Sequence, residues 1–360
     1  MKRRLTCAVT GLAATDNPAP GVGVIRALRD DPELDVRVVG LAYDTLDSGI
    51  YARTLVDDAY LLPYPSQGLD ALQSRLREIH AEVPFDVIIP NLDAELPSFI
   101  ALQPTLEALG VGSMLPTEDQ LSLRSKAHLA QLGEAADIDT PTTWVINDPS
   151  ELRTIDEHID FPLWIKGAYY GAIRVRDPHE AIAAYHRMVA QWGLPIVAQA
   201  NTDGDEIDVV AVGDGAGGMV GAVPMRKRLL TDKGKGWAGI AIRDPAIDEV
   251  CRRYFQATRW RGPCEIEMVR DPGGSLHLLE INPRFPAWCY LSAGAGMNLP
   301  AAVARLAAGM EVEPMTEYRV GTMFVRISLD QIVPLEDFEQ VSALGALHRA
   351  PEEEEEEEFP

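Results

Sequence analysis

The most constraining stretch of this chain is a pair of strand-like runs, 263–270 and 275–282, joined by Asp271-Pro272-Gly273-Gly274. Pro and Gly in that arrangement mark a tight turn, so the two runs predict an antiparallel hairpin. Side chains alternate along a strand, which sends Ile266 and Met268 to one face and Glu265 and Glu267 to the other. On the return strand, alternation gives Leu279 and Ile281 to the core and Glu280 and Asn282 to the opposite face. A turn that pairs Arg270 with Ser275 sets Glu267 opposite Leu278 and diagonal to Glu280. Like charges this close are unfavourable unless a cation lies between them. Two carboxylates and an amide oxygen make a hard-oxygen set suited to Mg2+, which keeps waters and bridges phosphates. Arg284 extends just beyond, where a guanidinium can clamp a phosphate or carboxylate. Any one of these glutamates alone reads as a solvated acidic face. Glu267, Glu280, Asn282 and Arg284 together favour a metal site.

The 360 residues suffice for two or three lobes at roughly 100–200 residues each. In the first, residues 5–10 read as a buried strand, followed by a Gly/Pro-rich loop and a helical run at 24–29. Strands recur at 35–42 and 86–90, and Leu69, Leu72, Leu76 and Ile79 line a helix between them. Strand–helix alternation at this spacing predicts an open parallel sheet, hence a Rossmann-like lobe over 1–115. Thr117 to Gln120 is a capping box opening a helix that carries Lys126 and ends near Asp137. Asp177-Pro178-His179-Glu180 is a second. Strands at 161–166, 195–200, 206–213 and 219–226, with the hairpin, make the middle antiparallel. The chain is therefore α/β followed by α+β, divided at 1–115, 116–198 and 199–350. The end, 351–360, is low in complexity and predicted disordered.

Three further segments carry candidate chemistry. Lys166 ends a strand beside the loop Gly167-Ala168-Tyr169-Tyr170-Gly171, where a lysine and backbone N–H groups can meet phosphate oxygens. Between two strands lies Gln199-Ala200-Asn201-Thr202-Asp203-Gly204-Asp205-Glu206, in which Glu206 can accept ribose hydroxyls, although an ordinary acidic turn looks the same. Residues 226–239 gather five basic residues and three glycines, which suggests a mobile flap over phosphates. Asp93 and Glu95 hint at a site for a substrate amine, but a solvated loop explains them more simply. Arg326 is a further candidate for the substrate pocket.

Composition removes several classes. Net charge is −23, and seven of those charges sit in the run 352–358, which leaves about −16 for the body. A field of that sign disfavours nucleic acid as a partner. No apolar stretch is long enough to span a membrane, and the basic start lacks a signal-peptide core. Cys7, Cys251, Cys264 and Cys289 have neither zinc spacing nor a pairing pattern, so a reduced, cytoplasmic protein is expected. The acidic tail reads as a solvating end, or else as an internal ligand for the basic flap.

Taken in order, Lys126, the run ending at Lys166, Gln199 to Glu206, Glu267, and Leu278-Leu279-Glu280-Ile281-Asn282-Pro283-Arg284 resemble an ATP-grasp ligase. The similarity is greatest to the branch with carbamoyl phosphate synthetase, biotin carboxylase and the related amino-acid ligases, over residues 1 to about 310. It implies an ATP-grasp fold behind a Rossmann-like lobe, with 116–198 as a small lid subdomain and 199–350 as the large one. By resemblance, Lys126 and Lys166 bind the phosphates of ATP. Main chain near Gln199, Ala200, Asn201 and Thr202 reads adenine, and Glu206 holds the ribose. Glu267, Glu280 and Asn282 ligate Mg2+ (or Mn2+), and Arg284 with Lys166 serves the transferred phosphoryl group. The implied activity joins a small carboxylate to an amine, amino acids or peptides among them, through an acyl phosphate. A homodimer is compatible with this.

Two rival classes remain. A nicotinamide oxidoreductase would use Gly21-Val22-Gly23 and Asp44, yet position 26 is Arg and the turn after the first strand is long. A non-catalytic nucleotide-binding module would not need both carboxylates.

Overall fold

The computed structural model describes residues 2–15, 18–230 and 236–348. Of these, the residues up to 113 and those from 328 to 348 make one compact unit, and those between 114 and 327 make the other. In the first, β1 (Arg3–Val9), β2 (Leu34–Ala42), β3 (Asp58–Leu61) and β4 (Val87–Ile89) form a parallel sheet in the order β3-β2-β1-β4. Strands inside a parallel sheet read as continuous apolar runs, and Leu5, Cys7, Ala8 and Val9 are all buried. The helix Leu69–Glu82 buries Leu72, Leu76 and Ile79, while Leu69 at its first turn is exposed. A C-terminal strand, Ala346–His348, adds antiparallel to β3. Residues 328–348 thus return to the first unit rather than continuing the segment expected over 199–350.

Two details of this unit revise the sequence expectations. A Cβ on Gly21 would lie 2.2 Å from the Thr10 carbonyl oxygen, so close packing of the helix Gly21–Arg29 accounts for that glycine without a dinucleotide. Glu95 is not in a solvated loop but fully buried. Its carboxylate accepts from the Thr10 hydroxyl, the Tyr43 hydroxyl at 2.5 Å, and the Asn91 and Leu92 N–H groups at 2.8 and 2.9 Å. Burial pushes its carboxyl above the usual range, and those hydrogen bonds pull the other way. Glu95 fastens the ends of β1, β2 and β4 together; it is not presented to a substrate amine.

The second unit holds two antiparallel sheets. The smaller contains β5 (Thr143–Ile146), β6 (Leu163–Gly167), β7 (Ala172–Val175) and β8 (Ile196–Ala200) in the order β5-β8-β6-β7. The helix Pro178–Trp192 packs Ala181, Ala184, Tyr185 and Met188 against its Ile165 and Ile196. The larger contains β9 (Asp205–Asp214), β10 (Met219–Leu230), β11 (Gly236–Ala241), β12 (Arg261–Arg270), β13 (Leu276–Asn282) and β14 (Met323–Val325), in the order β13-β12-β9-β10-β11-β14. Its core face joins Ile207, Val209, Ile266, Met268 and Leu278 to Tyr254 and Phe255 of the helix Pro245–Thr258.

Thr117 and Gln120 form the expected capping box, each side chain bonding the other's backbone N–H. The second box closes only halfway. Asp177 caps the Glu180 N–H at 2.9 Å, but the Glu180 carboxylate takes the Arg176 N–H instead. Lys126 does not ride on one long helix; it opens a 3-10 turn, Lys126–His128, between the helices Glu118–Ser122 and Leu129–Ala136. The stretch expected as a flap is strand where described, β10 running to Leu230 and β11 beginning at Gly236. Residues 231–235 and the acidic run 352–358 lie outside the described residues.

Candidate active site

The hairpin β12–β13 sets the site. Arg270 pairs with Leu276 rather than Ser275, and a bulge at Leu279 shifts the register once more. Glu267 therefore stands directly opposite Glu280, and Glu265 opposite Asn282. The bulge also changes the phase of the core: Leu276, Leu278 and Ile281 are buried there, not Leu279. Across the sheet, Asp208 of β9 pairs with Glu267. Asp208, Glu267 and Glu280 thus make a row of carboxylates over three adjacent strands. A β-bulge re-aims side chains in this way next to functional sites.

Cations and amides hold this row in place. Lys126, buried, donates to Glu280 Oε1 at 2.7 Å and to the Tyr169 carbonyl at 3.0 Å. Asn282 Nδ2 donates to Glu267 at 2.8 Å and to Glu265 at 3.0 Å. Lys227 Nζ lies 3.0 Å from Glu206 and 3.2 Å from buried Asp208. Burial works against the charge on Lys227, but Asp208 and then Glu267 outweigh it and raise its pKa above the ordinary lysine value. Asp208 itself is pushed well above the usual carboxylate range, first by burial and then by the charge of Glu267.

Lys166, at the end of β6, donates to Gln199 Oε1 at 2.6 Å, and Gln199 Nε2 reaches Thr143 at 3.2 Å. Burial and the nearby charge of Lys126 lower the Lys166 pKa to about 8, against the pull of Glu280, Glu267 and Glu206. The five-residue segment after it is the turn between β6 and β7. Its Ala168 and Tyr169 carbonyls accept from the Lys126 backbone N–H and ammonium, so it is pinned to Lys126, with Arg124 stacked 4.4 Å over the Tyr169 ring.

The remaining predicted residues lie around this centre. Gln199 is buried with its side chain on Lys166, and the Ala200 N–H is bonded to the Thr142 carbonyl. Asn201 accepts from the Trp164 indole at 3.0 Å and donates to Asp203, and Thr202 follows it on the crossing from β8 to β9. Glu206 is half exposed beside Lys227. Arg284 Nη1 lies 3.5 Å from Glu265 and donates to the Phe285 carbonyl at 3.1 Å. Arg326 reaches the Ala287 carbonyl of the same loop at 3.4 Å. Sequence reasoning passed over Asp208 and Glu265, each two residues from a chosen glutamate on the same strand face, and it treated Lys227 as flap.

The donor set of Glu267, Glu280 and Asn282 is all hard oxygen and fits Mg2+. Among the described residues no three acidic, histidine or cysteine side chains are gathered into a ready metal cluster. Lys126 and the Asn282 amide hold the carboxylates instead. Waters and phosphate oxygens complete such an ion's shell in sites of this type.

Residues 195–327 match the family described as ATP-grasp in the biosynthetic pathway with Ter operon. The backbone is similar to that of an L-amino acid ligase from Bacillus licheniformis, with a TM-score of 0.64 at 18% identity over 86% of this chain and 75% of that one. It is also similar to the biotin carboxylase domain of a 2-oxoglutarate carboxylase from Hydrogenobacter thermophilus, solved with MgADP, ADP and bicarbonate. There the TM-score is 0.68 at 18% identity, over 88% of this chain and 73% of that one. The fold is ATP-grasp. A D-alanine–D-alanine ligase from Chromohalobacter salexigens is 24% identical over 199 residues, 51% of this chain. The chain spans 62% of that relative's length. The ATP-grasp match covers the segment bearing Gln199, Glu206, Glu267, Glu280, Asn282 and Arg284. Lys126 and Lys166 lie before it, and they reach it through Glu280 and Gln199 respectively. No helix among the described residues is long and apolar enough to cross a membrane.

Proposed function

We propose that the protein is an ATP-dependent carboxylate–amine ligase. The observation that carries this is the cluster in which Lys126 bonds Glu280, Glu280 stands opposite Glu267, and Asn282 bonds Glu267, with Lys166 held by Gln199 and Arg284 beside Glu265. In the proposed reaction a substrate carboxylate oxygen attacks the γ-phosphorus of ATP. The bond to the β-phosphate oxygen breaks, leaving ADP and an acyl phosphate. An amine nitrogen then attacks the acyl carbon, phosphate departs with the carboxylate's oxygen, and the nitrogen loses a proton. Such chemistry depends on positioning and charge neutralisation and needs no protein nucleophile.

Each residue has a role in that scheme. Lys126 and Lys166 neutralise phosphate charge. Residues 199–202 line the adenine side and Glu206 accepts ribose hydroxyls. Glu267, Glu280 and Asn282 would hold Mg2+, which when bound withdraws charge from the phosphates. Arg284 faces the transferred group, and Arg326 lines the substrate side. The small sheet with 116–198 serves as lid, the larger sheet as platform, and 1–115 as the Rossmann-like lobe before them. Two of the proteins compared above are ligases named for amino acids, which supports an amino acid or small peptide as substrate. Screening carboxylate and amine pairs for ADP release, with products identified by mass spectrometry, tests the proposal. Sustained ADP release that requires the carboxylate and, with the amine present, keeps step with amide is the expected result; sustained ADP release that needs no carboxylate, or that yields no amide with any pair, contradicts it.

A pH dependence follows from Lys166. Phosphate binding requires its charged form, and free Lys166 loses its proton above about pH 8. Bound phosphate raises that pKa, so the Kd for ATP should climb as pH rises past 8, by up to tenfold per unit. Calorimetric titration between pH 7 and 9.5 measures this. Lys166→Arg, always charged, should flatten the profile, and an equally flat wild-type profile would exclude Lys166 from the phosphate site.

A further inference from the structure

We infer that Glu265 is a positioning residue that sets Asn282 and Arg284 together, so that one buried carboxylate governs both a metal ligand and the guanidinium beside it. This rests on the ligase site proposed above. Glu265 lies on β12 directly opposite Asn282 and is 5% exposed. Three donors converge on it: Asn282 Nδ2 at 3.0 Å, the Trp288 indole at 2.8 Å and Arg284 Nη1 at 3.5 Å.

A carboxylate loses hydration on burial and persists there only when paired and hydrogen-bonded. The partners of Glu265 belong to the hairpin return and the loop after it, so its charge holds the Asn282–Trp288 segment against β12. Its effect on Asn282 follows from chemistry. Glu265 and Glu267 are both acceptors when ionised, so the amide must turn its NH2 toward them. When a cation takes Glu267 from that amide, Glu265 still holds Nδ2, so the NH2 stays on the Glu265 side and the carbonyl oxygen is left for the cation. On Arg284, Glu265 and the Phe285 carbonyl both hold Nη1, which anchors one corner of the guanidinium beside Asn282.

Glu265→Gln is the first test, because the glutamine amide sets a donor against three donors. Outer-shell changes at metal sites typically cost about 10–100-fold. The expected result is a loss of that order in kcat, a severalfold rise in the Mg2+ concentration for half-maximal rate, and a KM for ATP within about twofold. Glu265→Gln placed on Arg284→Lys should cost less than it does alone, because the part of its effect that runs through the guanidinium is already lost, while the shift in Mg2+ response through Asn282 persists. Trp288→Phe removes one donor and no charge, and so serves if Glu265→Gln does not fold; it should shift Mg2+ half-saturation the same way, by less. An unchanged kcat and Mg2+ response in Glu265→Gln, or full additivity with Arg284→Lys, overturns the inference while the ligase reading survives. An Arg284→Lys enzyme as fast as wild type overturns that reading instead.

Discussion

Lys166→Ala is expected to lower kcat/KM for ATP turnover by about 100–1,000-fold, the loss typical when one preorganised electrostatic group is removed from developing charge. The fold should survive. Lys166 sits at a strand end, and its own burial disfavours its charge, as the lowered pKa records. Its removal leaves Gln199 Oε1 without that donor, but Gln199 keeps its contact to Thr143. The melting temperature should therefore stay within a few degrees, since about 1 kcal/mol corresponds to roughly 2–4 °C for a unit of this size. Steady-state kinetics alongside a thermal melt separates the two effects. Wild-type turnover in the variant would remove Lys166 from the site, whatever the melt shows.

Glu280→Gln should produce the second large change, in ligand-linked stability. A ligand that binds only the native state adds about 2.7 kcal/mol at a concentration of 100 Kd. Mg2+ with ATP should thus raise the wild-type melting temperature above the shift from ATP alone. Glu280→Gln should abolish most of that difference by removing an oxygen charge from the metal set. It should also lower the ligand-free melting temperature, because Lys126, 5% exposed in its side chain, loses the partner 2.7 Å away. ATP without metal should keep its shift, since one carboxylate near the phosphates is gone. An identical Mg2+-dependent increment in both proteins would show that Glu280 holds no metal.

Much of this architecture is legible in the residues. The turn at 271–274 announces the hairpin, Thr117 and Gln120 mark a helix start, and the apolar run of β1 identifies an inner parallel strand. The register of the hairpin is not legible. Leu278 and Leu279 are adjacent and equally apolar, so alternation cannot decide which one the core takes, and a one-residue bulge leaves no trace in a period of two. That bulge brings Glu280 opposite Glu267. Asp208 was hidden for another reason: its importance comes from the pairing of β9 with β12, more than fifty residues apart in sequence. Lys227 lay in a basic, glycine-containing stretch that resembles a loop, but strand pairing places it over Glu206 and Asp208. Ala346–His348 pairs with β3 across most of the chain, and a three-residue strand has too little pattern to be seen.

The central claim is that a substrate carboxylate, not water, receives the phosphoryl group. Amino acids labelled with 18O in the carboxyl group, incubated with the protein, ATP, Mg2+ and acceptor amines, test it directly when the released phosphate is weighed by mass spectrometry. Transfer through an acyl phosphate carries one labelled oxygen into each phosphate, in step with the amide formed. Unlabelled phosphate accompanying amide formation would contradict the account.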